Sequence, residues 1–107
     1  MPKYLMQVTY SDDALADLVR RPEDRGAVLS ELVQRLGGKI EVFYHSLGEY
    51  DLVIIAEFPD NETVAALQIA VRSTGALKDQ KITALLSREE AMNALKRAGS
   101  SGYQPPS

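Results

Sequence analysis

The chain has 107 residues, of which 45% are hydrophobic and 25% charged, and its net charge is −3. This length suits one domain with one core, and the composition is that of an ordinary globular protein. Twelve Lys and Arg residues are scattered among fifteen Asp and Glu residues. Because this leaves no cluster of positive charge, we expect no nucleic-acid partner.

Cysteine is absent, which excludes disulfides and zinc sites built on sulfur. A single histidine with scattered carboxylates does not supply the three or four ligands of a metal centre, so we predict no metal and no cofactor. No apolar run reaches the length of a membrane span, and the first ten residues do not resemble a signal segment. We therefore expect a cytoplasmic protein without a membrane partner.

The first half of the chain predicts a strand, two helical segments and a second strand. Residues 3–10 alternate as a strand does, and Ser11 caps a short helix that carries Leu15, Leu18 and Val19. Proline disfavours helix in the residue before it, so we expect a break near Arg21 and a second helix from Pro22 or Glu23. That helix has one apolar stripe and ends at Gly37-Gly38. Residues 39–47 predict the second strand, with Ile40, Val42 and Tyr44 on one face and Glu41, Phe43 and His45 on the other.

The second half repeats the alternation of strand and helix. The turn Gly48-Glu49-Tyr50 joins the second strand to a third at 51–58, which forms a hairpin with it. Pro59-Asp60-Asn61-Glu62 ends that strand and starts a helix that runs to about Ser73. Residues 77–86 contain the fourth strand. Ser87-Arg88-Glu89-Glu90 is a capping box that opens a last helix with Met92 and Leu95 as its apolar contacts.

The order strand, helix, strand, strand, helix, strand predicts a ferredoxin-like α+β fold. In this βαββαβ arrangement the first and third strands occupy the centre of a four-stranded antiparallel sheet, and the helices pack on one face. We expect residues 1–98 to form this single domain and residues 99–107, rich in Gly, Ser and Pro, to form a flexible tail.

The third strand is apolar on both faces, so the sheet face away from the helices also needs a cover. If Leu52, Ile54 and Phe58 face the helices, the opposite face carries Leu5, Phe43, Val53, Ile55 and Leu85, together with Gln7, Thr9 and His45. A shift of one residue would exchange the two sets and leave the same problem. Such a patch is large for a monomer, so we predict a homodimer in which two sheets pack face to face as a dimeric α/β barrel.

Three segments resemble the GYD-domain family of small bacterial proteins, which is named for a Gly-Tyr-Asp motif. They are MPKYLMQVTY, LGGKIEVFYHSLGEYDLVIIAEFPDNE and ITALLSREE, and the motif stands here as Gly48-Glu49-Tyr50-Asp51. The resemblance covers nearly the whole chain except the tail. It implies a dimeric α/β-barrel fold and says little about activity.

The Gly48–Asp51 segment allows two interpretations. In the first it is a turn, where Gly48 supplies a positive backbone torsion, Asp51 bonds neighbouring amides and Tyr50 covers the edge of the core. In the second, Glu49, Tyr50 and Asp51 meet His45 at the mouth of an apolar cavity and offer acid and base groups. The candidate ligand-binding residues are therefore Tyr10, Tyr44, His45, Glu49, Tyr50 and Asp51.

Two classes of function stay open. One is a homo-oligomeric module that binds a small apolar molecule or acts through its assembly. The other is a cofactor-independent enzyme, monooxygenase-like or degradative, with its site in the cleft between sheet and helices; this rests on analogy of fold alone.

Overall fold

The computed structural model of the chain describes residues 1–106. Its elements follow in the order β1 (Lys3–Tyr10), α1 (Asp12–Arg20), α2 (Arg25–Arg35), β2 (Lys39–His45), β3 (Leu52–Glu57), α3 (Asn61–Arg72), β4 (Leu77–Leu85) and α4 (Arg88–Gly99). The four strands form one antiparallel sheet in the order β2-β3-β1-β4. The predicted ferredoxin-like α+β fold, with β1 and β3 at its centre, is confirmed.

The core lies between one face of the sheet and helices α2 and α3. Alternate residues of β1 and β3 point into it and meet Val33 of α2 and Val64 and Leu67 of α3. The buried strand and loop residues on this helix face are Tyr4, Met6, Val8, Leu52, Ile54, Ala56 and Phe58. Phe58 is fully buried and meets the ring of Tyr4 edge to face, with 5.9 Å between ring centroids.

Side-chain caps set the starts of the helices. Ser11, Asp24, Asp60 and Ser87 each accept a hydrogen bond from a backbone N–H three residues later. The helix that we expected from Pro22 or Glu23 therefore begins at Arg25, because Asp24 is the residue that caps it. Gly37 ends α2 with a φ of 83°, and a Cβ on Gly38 would lie 2.5 Å from the Glu57 carbonyl oxygen. The chain can therefore turn from α2 into β2 close beside β3.

A β-bulge in β2 corrects the predicted orientation of that strand. Ile40 pairs with Ala56 and Val42 with Ile55, so Glu41 is an additional residue between the two pairs. Phe43 then pairs with Ile54 and lies on the helix face rather than on the opposite face. Strict alternation predicted the reverse, because a bulge reverses the facing of every residue that follows it.

Helix α4 begins at the predicted capping box, since Ser87 and Glu90 bond each other's backbone amides at 3.0 and 2.9 Å. The expectation that Met92 and Leu95 are its apolar contacts is wrong, because these side chains are 52% and 66% exposed. Every residue of α4 except Ala91 is exposed. Residues 101–106 of the predicted tail form no helix or strand, and Ser107 lies outside the described residues.

Candidate functional site

Asp51 fastens the turn between β2 and β3 to the end of β1. Its Oδ2 atom accepts a hydrogen bond from the Tyr10 N–H at 2.9 Å, and its own N–H donates to the Val8 carbonyl at 2.7 Å. Its carbonyl accepts from the Ser46 N–H at 2.8 Å. A carboxylate that bonds a backbone amide in this way has a structural task that competes with acid–base chemistry.

Glu49 and Tyr50 occupy the outer part of the same turn. The backbone carbonyl of Glu49 accepts a hydrogen bond from the Thr9 hydroxyl at 3.3 Å, while the residue itself is exposed. Burial raises the pKa of Tyr50, and the carboxylates of Glu49 and Asp79 raise it further. Tyr50 therefore keeps its proton at neutral pH and can act as a hydrogen-bond donor.

Gly48 does not have the positive φ that we expected. The glycines with positive φ among residues 1–106 are Gly37, Gly75 and Gly102. The connection between His45 and Leu52 has six residues, and a loop of this length reverses the chain without the left-handed residues that a two-residue hairpin requires.

His45 and Tyr44 end β2 on opposite faces of the sheet. His45 pairs with the buried Leu52, which places it on the helix face and corrects its predicted position on the opposite face. It is exposed and meets Phe43 edge to face, with 5.8 Å between ring centroids. Tyr44 pairs with Val53 on the other face and is 69% exposed. The six candidate residues are thus spread over both faces and one edge of the sheet.

A cavity of about 100 Å³ lies between the helix face and helices α2 and α3, and Tyr10 is the candidate residue that lines it. Most of its wall is apolar, and three polar side chains interrupt that wall: Tyr10, Arg25 and Gln80. Sequence reasoning missed Arg25 and Gln80. One signal was present for Gln80, because this polar residue pairs with the buried Val8 at a position where the pattern of β4 calls for an apolar one.

The sheet face away from the core carries an apolar patch, which we call the open face. Its members are half-buried: Leu5, Val42, Val53, Ile55 and Leu85. Val42 takes the position predicted for Phe43 because of the bulge. The Nζ atom of Lys3 lies 2.9 Å from Glu41 Oε1 at one end of this face. Helix α4 does not cover the face as a packed layer, since none of its residues is buried.

Comparison with known proteins gives a family. The model of the GYD domain matches residues 4–95. The chain belongs to the GYD-domain family. This GYD domain is also 33% identical, over 85 residues, to the glutamine synthetase and cystathionine beta-lyase binding protein of Thermus thermophilus, and the match covers 79% of the chain and 90% of that protein.

Among solved structures, the GYD domain resembles a transcriptional regulator from Neisseria meningitidis in complex with L-Met. The TM-score is 0.51 at 18% identity, and the match covers 81% of this chain and 51% of the regulator chain. The domain thus spans about half the length of that regulator, and the likeness is one of fold.

None of the helices within residues 1–106 combines the length and the apolar character that a membrane span requires. Over the same residues, no group of three or more His, Cys, Asp or Glu side chains is placed to hold a metal ion.

Proposed function

We propose that this GYD domain is a homo-oligomeric binding module, which associates with a second copy of itself and then binds other molecules. The open face is the observation that carries the proposal. Its five large apolar side chains lie on a sheet surface that no helix of residues 1–106 covers as a packed layer. Full burial of each is worth roughly 1.5–3 kcal/mol, so even partial burial under a second sheet favours association.

A second copy suits this surface better than an unrelated partner does. A two-fold interface requires one patch to be complementary to itself, and apolar sheet faces meet this requirement when two sheets pack face to face. The ion pair of Lys3 and Glu41 places both signs of charge at one end of the open face. Each copy therefore presents one positive and one negative charge, so each charge of one copy has an opposite charge available on the other. The resulting assembly is a dimeric α/β barrel.

The relative from Thermus thermophilus supports a role in binding proteins. Its name describes a protein that binds two enzymes, and the match covers 90% of its length. We therefore propose that this chain, once assembled, also binds a partner protein. The cavity beside Tyr10 supports a second binding role, for a small molecule with an apolar part.

The geometry gives less support to the alternative of a cofactor-independent enzyme. Asp51 bonds the Tyr10 amide, and His45 is exposed at the edge of the sheet. Within residues 1–106 the His45 imidazole has no hydrogen-bonded carboxylate that would orient it as a general base. Binding is therefore the function that we propose.

Cysteine labelling tests the self-association, because the natural chain contains no cysteine. Val53→Cys places a thiol on the open face, and Ile69→Cys places one on α3, where Ile69 is 68% exposed. At about 100 μM protein, we expect a maleimide to react with the Val53→Cys thiol at least tenfold more slowly than with the Ile69→Cys thiol. Dilution to about 1 μM or below should reduce the difference between the two labelling rates, because the assembly dissociates. Equal labelling rates at every concentration, or a difference in rate that dilution does not change, would contradict the proposal, because Val53 is already half-buried within one chain.

A further inference from the structure

The cavity beside Tyr10 lies on the side of the sheet opposite the open face. Strands β1, β2, β3 and β4 form its floor, and helices α2 and α3 form its roof. Folded proteins pack their interiors densely, and voids larger than a water molecule are few in a domain. The cavity beside Tyr10 is partly open to solvent, and about 100 Å³ of space beside a core this small is a feature that needs an explanation.

Two buried polar atoms in the cavity wall lack a partner. Tyr10 Oη and Gln80 Oε1 are shielded from solvent, and neither has a hydrogen-bond partner among residues 1–106. Among residues 1–106, no other buried side-chain nitrogen or oxygen atom lacks a hydrogen-bond partner. A buried polar atom without a partner costs stability, so its presence points to a group that binds there.

Arg25 adds a positive charge to the same wall. It is the first residue of α2, it is half-buried, and its guanidinium pairs with Glu23. Burial raises the pKa of Tyr10, and the nearby carboxylates of Asp51 and Glu23 raise it further, although the charge and the N–H groups of Arg25 work in the opposite direction. The Tyr10 hydroxyl therefore stays protonated at neutral pH and can donate a hydrogen bond. A carboxylate would accept that bond and face the guanidinium.

We propose that this cavity binds a small monocarboxylic acid with a short apolar chain. This inference rests on the proposed binding role and names the class of small molecule. A cavity of about 150 Å³ holds a benzene molecule, so a cavity of about 100 Å³ holds a chain of about four carbons, with the carboxylate and the carbon next to it beside Tyr10 and Arg25. Gln80 supplies a side-chain amide, which can turn to present its N–H₂ group to a carboxylate or its oxygen to a protonated acid.

Titration with hexanoate tests the proposal in the full chain. In a ¹H–¹⁵N NMR spectrum, we expect hexanoate to shift the backbone amide signals of cavity residues, with Leu77 and Gln80 as reporters, at concentrations up to about 10 mM. Hexan-1-ol has the same chain without the carboxylate and should bind at least fivefold more weakly. Equal binding of the alcohol would overturn the assignment of a carboxylate head.

Tyr10→Phe removes the hydroxyl and keeps the ring, so it separates recognition from packing. We expect it to weaken hexanoate binding at least fivefold. The melting temperature of the ligand-free protein should stay equal or rise, since an unpaired buried group is lost. Tyr44→Phe is the matched control, because Tyr44 is exposed on the other face and should leave binding unchanged.

Two further outcomes would overturn the proposal. In the first, hexanoate leaves every cavity signal in place, which means that the cavity holds water. In the second, Tyr10→Phe and Tyr44→Phe bind hexanoate equally well. Neither outcome touches the proposed self-association, which the labelling of Val53→Cys measures on the other face of the sheet. Conversely, a monomer that still binds hexanoate through Tyr10 would contradict the proposed self-association and would support the cavity assignment.

Discussion

At the scale of single residues, Asp51 joins three parts of the chain. Its side chain holds the amide of Tyr10, and its backbone bonds Val8 and Ser46. Tyr10, the last residue of β1, is thereby fixed against the turn that precedes β3. Tyr10 also lines the cavity. The position of the Tyr10 ring thus depends on a carboxylate in the family motif.

Asp51→Ala should destabilise the fold. It leaves the half-buried Tyr10 amide without its acceptor, and a hydrogen bond to a charged group is worth roughly 1.5–3 kcal/mol. We expect the free energy of unfolding, measured by urea denaturation, to fall by about this amount. Glu49→Ala is the control, because the exposed Glu49 uses its backbone carbonyl rather than its side chain and should change stability by less than about 0.5 kcal/mol. Equal stability of the two variants would show that the Asp51 carboxylate is dispensable.

Some residue positions could be predicted from the sequence, and the facing of β2 could not. That Asp51 bonds a backbone amide was predictable from its place in a turn, but its partner Tyr10 lies 41 positions away in the chain and not in the same turn. The facing of Phe43 and His45 depends on one additional residue at Glu41, and the apolar pattern Ile40, Val42, Phe43 fits either register. Only the pairing of β2 with β3 distinguishes the two registers.

At the scale of elements, α4 stands apart from the rest of the fold. It is capped at its start by Ser87 and Glu90, yet none of its residues is buried. A helix of twelve residues without packing is marginally stable in water, so the cap contributes a large share of what holds it.

Ser87→Ala should therefore loosen α4 and leave the sheet intact. We expect faster hydrogen exchange at the α4 amides and unchanged exchange in β1 and β3, measured by mass spectrometry of peptides from each element. Ser101→Ala, beyond the end of α4, serves as the control. An equal acceleration in the sheet would show that α4 and the sheet open as one unit, which contradicts the separate status of α4.

The existence and order of the elements were predictable because their ends carry local signals. Caps at Ser11, Asp60 and Ser87 and the glycines after α2 act within a few residues, so the sequence displays them directly. Packing partners are not local. The apolar stripe of Met92 and Leu95 predicted a helix correctly and a contact wrongly, since periodicity shows a face and not what covers it. The cavity was missed for the same reason, because Arg25 and Gln80 lie far apart in the chain.

At the scale of the whole molecule, the sheet separates two surfaces with different proposed tasks. The helix face borders the core and the cavity. The open face is the surface of the proposed self-association. The subunit extends 58 Å along its longest axis and 24 Å along its shortest. Because α4 has no buried residue and does not cover the open face as a packed layer, the proposed ligand binding and self-association use opposite sides of one sheet.

The central claim is that the open face joins two copies of this chain, and size-exclusion chromatography with light scattering measures it most directly. We predict a mass of at least twice the chain mass of 11.8 kDa for the natural protein and for Ile69→Asp, which alters an exposed isoleucine of α3. Ile55→Asp places a charge in the middle of the open face and should shift the mass toward that of one chain, with the circular dichroism spectrum retained. A natural protein that stays at 11.8 kDa at about 100 μM would contradict the claim, as would an Ile55→Asp variant that assembles as well as Ile69→Asp.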